Sequence, residues 1–305
     1  MLESLVTFSF CAHGFKSTFA MKPTSTLQAL GYEVIKYLGS GARSTIWQVR
    51  DNRTSQVYAL KRVVKQHASD ARFMEQALNE GHVGALFEHP VIRRIYKVHR
   101  IKRLLSLKEI HLVMEFCEGQ TVQENRPQSV AETVRIFRQV AEALAHMNAK
   151  GYVHADMKPN NILVAPDGTV KIIDFGQSCP LGTIKERIQG TPDFIAPEQF
   201  HRRPLDARTD VFNFGAALYW TLTGKAIPTV LPKKGSVTLV SELAVEPVEK
   251  LNTEVPPGLS KLVADLIEVQ PSRRPSSMND AISRLGLISY VLERNGDKSS
   301  SSGNT

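Results

Sequence analysis

Cysteine is scarce here: Cys11, Cys117 and Cys179 are the only three in 305 residues, odd in number and far apart. They exclude a disulfide framework and suit a reducing cytoplasm. No apolar run approaches the roughly eighteen residues that a membrane-spanning helix needs, so no span is expected. Residues 1–20 contain Phe8-Ser9-Phe10-Cys11-Ala12 but also Glu3, and no basic start precedes an apolar stretch, so they do not read as a signal peptide. Met21 is a second candidate start of translation. Neither a metal-finger spacing nor an aromatic-interleaved RNA platform occurs, so nucleic acid is not expected as a partner.

What is present bounds the rest. A hydrophobic fraction of 42% over this length can fill a large core, as one domain or two lobes. The net charge of +8 attracts acidic partners, whether nucleic acid, acidic lipid or acidic protein. Its densest patch is Arg93, Arg94, Lys97, Arg100, Lys102, Arg103 and Lys108, on an expected strand pair, and is read as a solvated basic face.

The chemistry concentrates between residues 154 and 176. His154-Ala155-Asp156-Met157-Lys158-Pro159-Asn160-Asn161 leads into an apolar run, a Pro166-Asp167-Gly168 turn and a second apolar run ending in Asp174-Phe175-Gly176. Two short β-rich runs about such a turn predict a hairpin with one carboxylate before it and another after it. Asp156 could then take a proton from a hydroxyl, while Asn161 and Asp174 offer oxygens to a hard divalent cation such as Mg²⁺, with Mn²⁺ as the alternative. That layout suits phosphoryl transfer. Read singly, Asp156 is equally a turn former, Lys158 a solvated charge and Asn161 a cap.

These motifs together resemble the protein kinase family, of the serine/threonine type. The short architecture and the wording of residues 190–200 are similar to bacterial members, reduced to the catalytic domain. The resemblance implies an α+β, two-lobed fold. A small antiparallel β-sheet lobe with one helix would cover residues 28–118, and a larger, mostly helical lobe residues 119–290. Residues 1–27 would be a poorly ordered arm and 291–305 a disordered tail, serine-rich from Asn295. ATP and Mg²⁺ are the implied cofactors, and protein serine or threonine hydroxyls the implied acceptors.

In the small lobe, residues 32–38 and 45–50 are expected strands around Gly39-Ser40-Gly41-Ala42-Arg43-Ser44, a glycine loop whose amides can approach phosphates. By resemblance Leu38, Gly39, Ser40, Gly41, Ser44 and Ile46 contact the nucleotide. Ser44 stands where the family usually has a third glycine, which loosens the lid. Lys61 ends the strand 57–61 and by resemblance pairs the α- and β-phosphates, with Ala59 lining the adenine pocket. Residues 71–87 read as an amphipathic helix whose inward face holds Phe73, Ala77, Glu80 and Gly84. By resemblance Glu80 is preferred to Glu75 as the partner of Lys61, because it lies nine residues before His89-Pro90, where the family's helix ends. Gly81 and Gly84 predict a loosely held helix. Met114 on the strand 110–116 is the implied gate of the adenine pocket. The backbone of Glu115 and Cys117 would meet the base edge, with Leu163 beneath the nucleotide.

In the large lobe, Ser129 and Glu132 cap a helix running to Lys150. By resemblance Asp156 is the catalytic base, Lys158 neutralises the γ-phosphate, Asn161 and Asp174 hold the metal, and Thr191 shapes the acceptor site. Ala155 replaces the family's usual arginine, so activity should not depend strongly on phosphate at Ser178 or Thr183. Glu198 is matched with Arg274, with Arg273 as competitor, and Asp210 with the backbone of the 154–161 loop. Residues 210–223 should be a buried helix, 260–268 and 277–285 closing helices, and 228–257 an irregular surface stretch. Lys225 just before it and Lys233 and Lys234 within it hint at acidic substrates. Cys179 reads as an incidental thiol. The rival readings are a pseudokinase that binds without turnover, a small-molecule phosphotransferase, and a nucleic-acid binder resting on charge alone. Oligomeric state is not written in the sequence.

Overall fold

The computed structural model describes residues 24–41, 43–228 and 245–301. Residues 1–20, Met21, Ala42, Lys233 and Lys234 lie outside the described residues. A short helix α1 (Thr24–Ala29) leads into a five-stranded antiparallel sheet. Its strands are β1 (Tyr32–Gly41), β2 (Ser44–Asp51), β3 (Val57–Val64), β4 (Ile95–Arg103) and β5 (Ser106–Glu115), ordered β1-β2-β3-β5-β4. Helix α2 (Ala71–Gly84) packs on one face of that sheet. On the other face Leu27, Tyr32, Val49, Leu60 and Val113 form a separate cluster. Leu27 is fully buried in it, so the ordered lobe begins before residue 28 and the expected arm is shorter than 1–27.

The α2 glycines, expected to loosen the helix, lie at its closest contacts with the sheet. A Cβ at Gly81 would stand 2.6 Å from Val98 Cγ2, and one at Gly84 2.5 Å from Ile95 Cδ1. Both glycines let the helix approach β4 and β5 closely, and that packing offsets their low helix propensity.

Beyond β5 the chain crosses to a mostly helical lobe. Strand β6 (Gln120–Thr121) pairs with the hairpin described below, and helix α3 (Val130–Ala149) starts at Ser129, whose hydroxyl accepts from Glu132 N at 3.1 Å. Strand β7 (Tyr152–Val153) precedes the loop 154–161. The hairpin is β8 (Ile162–Val164) and β9 (Val170–Ile172), and β10 (Cys179–Pro180) returns to pair with β7. Helices α4 (Pro197–Phe200), α5 (Ala207–Thr223), α6 (Val248–Leu251), α7 (Pro257–Leu266) and α8 (Met278–Ser301) complete the lobe. Helix α5 is apolar nearly all round and is buried as that pattern predicts.

Two closing helices differ from expectation. Helix α7 starts at Pro257, because a proline in the first turn loses no helix hydrogen bond. Helix α8 continues to Ser301, where a disordered tail was expected from residue 291. Ile282, Leu285, Ile288 and Leu292 recur at helical spacing and pack against the core, and the helix runs on through Asn295-Gly296, a pair that the sequence alone reads as a stop. Among the described residues no helix is long and apolar enough to cross a membrane.

Candidate active site

The site lies between the lobes in a cleft of about 560 Å³ lined by Gly41, Ser44, Lys61, Glu80, Asp156, Lys158, Asp174 and Thr191, among others. Each element delivers its residue through local geometry. Lys61 points from β3 toward α2, where its Nζ donates to Glu80 Oε2 at 2.6 Å. Glu80 is 1% exposed, whereas Glu75 faces solvent. Burial works against the charge on Lys61, but Glu80 and Asp174 outweigh it and hold its pKa above the ordinary lysine value.

Asp156 sits in the loop after β7. Its Oδ2 accepts from Lys158 Nζ at 2.9 Å, and its Oδ1 accepts from the Thr191 amide and hydroxyl, both at 3.2 Å. Lys158 Nζ also donates to Thr191 Oγ1 at 2.7 Å. Burial raises the Asp156 pKa above the usual aspartate value, with Lys158 opposing, which makes the carboxylate a stronger proton acceptor. Neighbouring His154 is fully buried and pushed down to about 4, so its imidazole is neutral at physiological pH and Nδ1 accepts from the Asp156 amide.

The loop is held in place by Asp210 at the start of α5. Its two carboxylate oxygens accept from the amides of His154 and Ala155 and from Asn148 Nδ2, at 2.8–3.0 Å. Burial nonetheless pushes Asp210 up to about 6, with those three donors opposing. Ala155 adopts φ 60 and Asp174 φ 70, both in the left-handed region that L-residues avoid. Two such residues on either side of one hairpin mark a backbone fixed by its surroundings rather than by local preference.

Asp174 follows β9. Burial opposes its ionisation, but Lys61, the Gly176 amide and Lys158 prevail, and its pKa lies below the usual carboxylate range. Asn161 gives its Nδ2 to the Asp156 carbonyl at 2.8 Å, which leaves its Oδ1 as the acceptor. An ionised carboxylate and an amide oxygen form a hard donor set, and Mg²⁺ fits it.

The remaining candidates for nucleotide contact border the same region. Gly39 pairs with Ile46, Ser40 with Thr45 and Gly41 with Ser44, so the glycine turn lies over Lys61, which Ile46 faces across β2–β3. Leu38 is exposed at the turn. Ala59 and Met114 are direct partners across β3–β5, both buried. The Glu115 amide donates to Arg94 O, while among the described residues the Cys117 amide has no partner. Leu163 lies on β8 close under Gly119.

Residues 32–284 match the model of the protein kinase domain. The chain belongs to the protein kinase family. Among curated kinases it is 28% identical to a probable serine/threonine-protein kinase of Clostridium acetobutylicum, over 84% of this chain and 40% of that protein. It is 27% identical to the serine/threonine-protein kinase PknA of Mycobacterium tuberculosis, over 80% and 58%, and 26% identical to PrkC of Bacillus subtilis, over 82% and 39%. The chain thus spans about half the length of the curated relatives it matches.

Several residues of this kinase domain that the sequence did not single out also serve the site. Asn79, beside Glu80 on α2, donates to the carbonyls of Phe175, Gly176 and Ser178 at 2.8–3.3 Å, tying α2 to the Asp-Phe-Gly turn. Gln199 bridges Ala155 O, the Ala196 amide and Asn213. Arg93, read as part of a solvated face, is only 8% exposed and lies 3.8 Å from Glu80 Oε1. Its charge therefore stands beside a buried carboxylate, where it favours ionised Glu80 while opposing the charge on Lys61.

Glu198 and Arg274 form a bidentate pair at 2.8 and 2.9 Å, both buried, and Arg273 is exposed. Cys179 is a buried β-bridge residue whose thiol burial pushes up, so it is not a reactive nucleophile.

Proposed function

We propose that this protein transfers the γ-phosphoryl group of ATP to serine or threonine hydroxyls of protein substrates. The observation that carries the reading is the joined triad of Asp156, Lys158 and Thr191, set in one cleft with Asp174 and the Lys61–Glu80 pair. In this reading Asp156 orients the acceptor hydroxyl and accepts its proton, helped by a pKa that burial has raised. Lys61, kept charged by Glu80 and Asp174, holds the nucleotide phosphates. Lys158 offsets negative charge that grows on the phosphoryl oxygens. A divalent cation held by Asn161 and Asp174 would supply further neutralisation of that charge. The glycine turn and the free Cys117 amide would seat the triphosphate and the base.

Thr191 narrows the acceptor side of Asp156, which favours a small aliphatic hydroxyl and supports a protein serine or threonine over a free metabolite. Among the lysines that hint at acidic substrates, Lys225 is exposed, 3.9 Å from Glu246. The free thiols Cys117 and Cys179 suit a cytoplasmic location. The experiment is phosphotransfer from labelled ATP with Mg²⁺ to acidic and basic test proteins and to a panel of hydroxylated metabolites. Phosphoserine or phosphothreonine in a protein acceptor is the expected product. Label in a metabolite only, or in no acceptor while nucleotide binds, would overturn the reading.

A further inference from the structure

The β4–β5 hairpin ends in two leucines that nothing in the described molecule covers. Leu104 and Leu105 are each 99% exposed, whereas the next most exposed large hydrophobic, Leu287, reaches 69%. Leu104 sits at φ 54, so the turn displays the pair on a backbone that an L-residue seldom adopts. Apolar residues at a convex tip, with no compensating contact, call for a partner outside the chain.

The surroundings say which kind. From Arg94 to Lys108 the sequence holds six lysines and arginines and no acidic residue. Arg100, Lys102, Arg103 and Lys108 are exposed, and among the described residues none has an ion-pair partner. Glu109, the nearest acid, is buried and turned to Arg62 and His111. Arg103 and Lys108 also border, with Arg62, Lys65 and His67, a groove of about 550 Å³.

We propose that this hairpin docks the protein on an anionic lipid surface. Leu104 and Leu105 enter the boundary between headgroups and acyl chains, and the four unpaired cations meet the lipid phosphates. A protein partner would need a concave pocket shaped to a protruding leucine pair; a bilayer needs only apolar side chains with a basic collar, which is what the hairpin presents. Each lysine or arginine near such a surface strengthens partitioning roughly fivefold. Geometry leaves the cleft free. The sheet order puts the hairpin at the edge opposite β1, and β5 carries the chain from the tip to Glu115 over ten residues, roughly 33 Å of strand. The inference does not depend on catalysis, so it can fail or hold independently of the proposed activity.

The test is co-sedimentation of the full chain with phosphatidylcholine vesicles with and without phosphatidylserine. Binding only to the serine-lipid vesicles is expected, weakened about tenfold or more by Leu104→Ser/Leu105→Ser and by Lys102→Glu/Arg103→Glu/Lys108→Glu. In addition, Leu105→Trp should show a blue-shifted emission component, absent from the parent, on anionic vesicles. All these positions are exposed, so folding is preserved. Binding that ignores the leucine substitutions, or no blue shift, would reduce the contact to charge adsorption and overturn the proposal. Retention on immobilised polyglutamate without vesicle binding would overturn it in favour of an acidic protein partner.

Discussion

Replacing Arg274 by alanine probes the large lobe at its most committed side chain. Its guanidinium makes two bonds to Glu198 and others to the carbonyls of Arg208, Glu268 and Val269, all at 2.6–3.1 Å, and stacks 4.8 Å from the Phe212 ring. The side chain is 0% exposed and Glu198 5%. Arg274→Ala therefore strands a buried carboxylate, a loss of about 3–5 kcal/mol. It also orphans three carbonyls, each at about 1 kcal/mol where water does not enter. A domain of this size loses about 2–4 °C of melting temperature per kcal/mol, so a fall of ~10 °C or more is expected by scanning calorimetry. Arg273→Ala, a few atoms away but solvent-facing, should change the melting temperature by no more than about 1–2 °C. Glu198→Met/Arg274→Met, which removes both charges together, should melt closer to the parent than Arg274→Ala does. If Arg274→Ala and Arg273→Ala melted alike, the assignment of the buried pair would be wrong.

Other consequences are testable in the same way. Glu109 is held down to about 2 because His111 and Arg62 overcome the burial that opposes its ionisation. Its contribution is therefore present above the ordinary glutamate pKa of 4.5 and is lost as pH falls toward 2, worth up to about 3 kcal/mol. Urea unfolding at pH 5 and pH 3 should show that loss in the parent and a smaller one in Glu109→Gln. Gly84→Ala, which would stabilise a free helix by about 1 kcal/mol, should instead destabilise this one by about 1–3 kcal/mol because Ile95 occupies the Cβ position; a stabilised variant would refute the close-packing account. Ser178 is buried and donates to His154 O, and Ala155 offers no cation to a phosphate, so Ser178→Ala/Thr183→Ala should keep turnover within a few-fold. Loss of most turnover, with the protein still folded, would count against that independence.

Much of the site was legible because its residues are close in sequence or fixed by spacing. The hairpin, its Pro166-Asp167-Gly168 turn and the flanking Asp156 and Asp174 follow from a short stretch. Glu80 could be separated from Glu75 because it lies nine residues before His89-Pro90, and it shares a helical face with Phe73, Ala77 and Gly84. What the sequence hid depends on contacts between distant segments. Asn79 has no local mark of its reach to the Phe175–Ser178 carbonyls, and Arg93 looks like the surface arginines around it until the fold buries it 3.8 Å from Glu80. Gly81 and Gly84 carry opposite meanings according to whether a strand lies against them, and propensity alone counts only their cost. The serine-rich end of α8 concealed a helix whose apolar stripe needs the large-lobe core to show its purpose.

The most direct measurement is the turnover of Asp156→Asn beside its nucleotide affinity. The substitution keeps the shape of the side chain and removes its capacity to accept a proton, while Lys61, Glu80 and Asp174 stay in place. Phosphotransfer to a serine or threonine acceptor should fall by about 10²–10⁴-fold, with ATP binding unchanged within a few-fold. Undiminished phosphotransfer by Asp156→Asn would contradict the account.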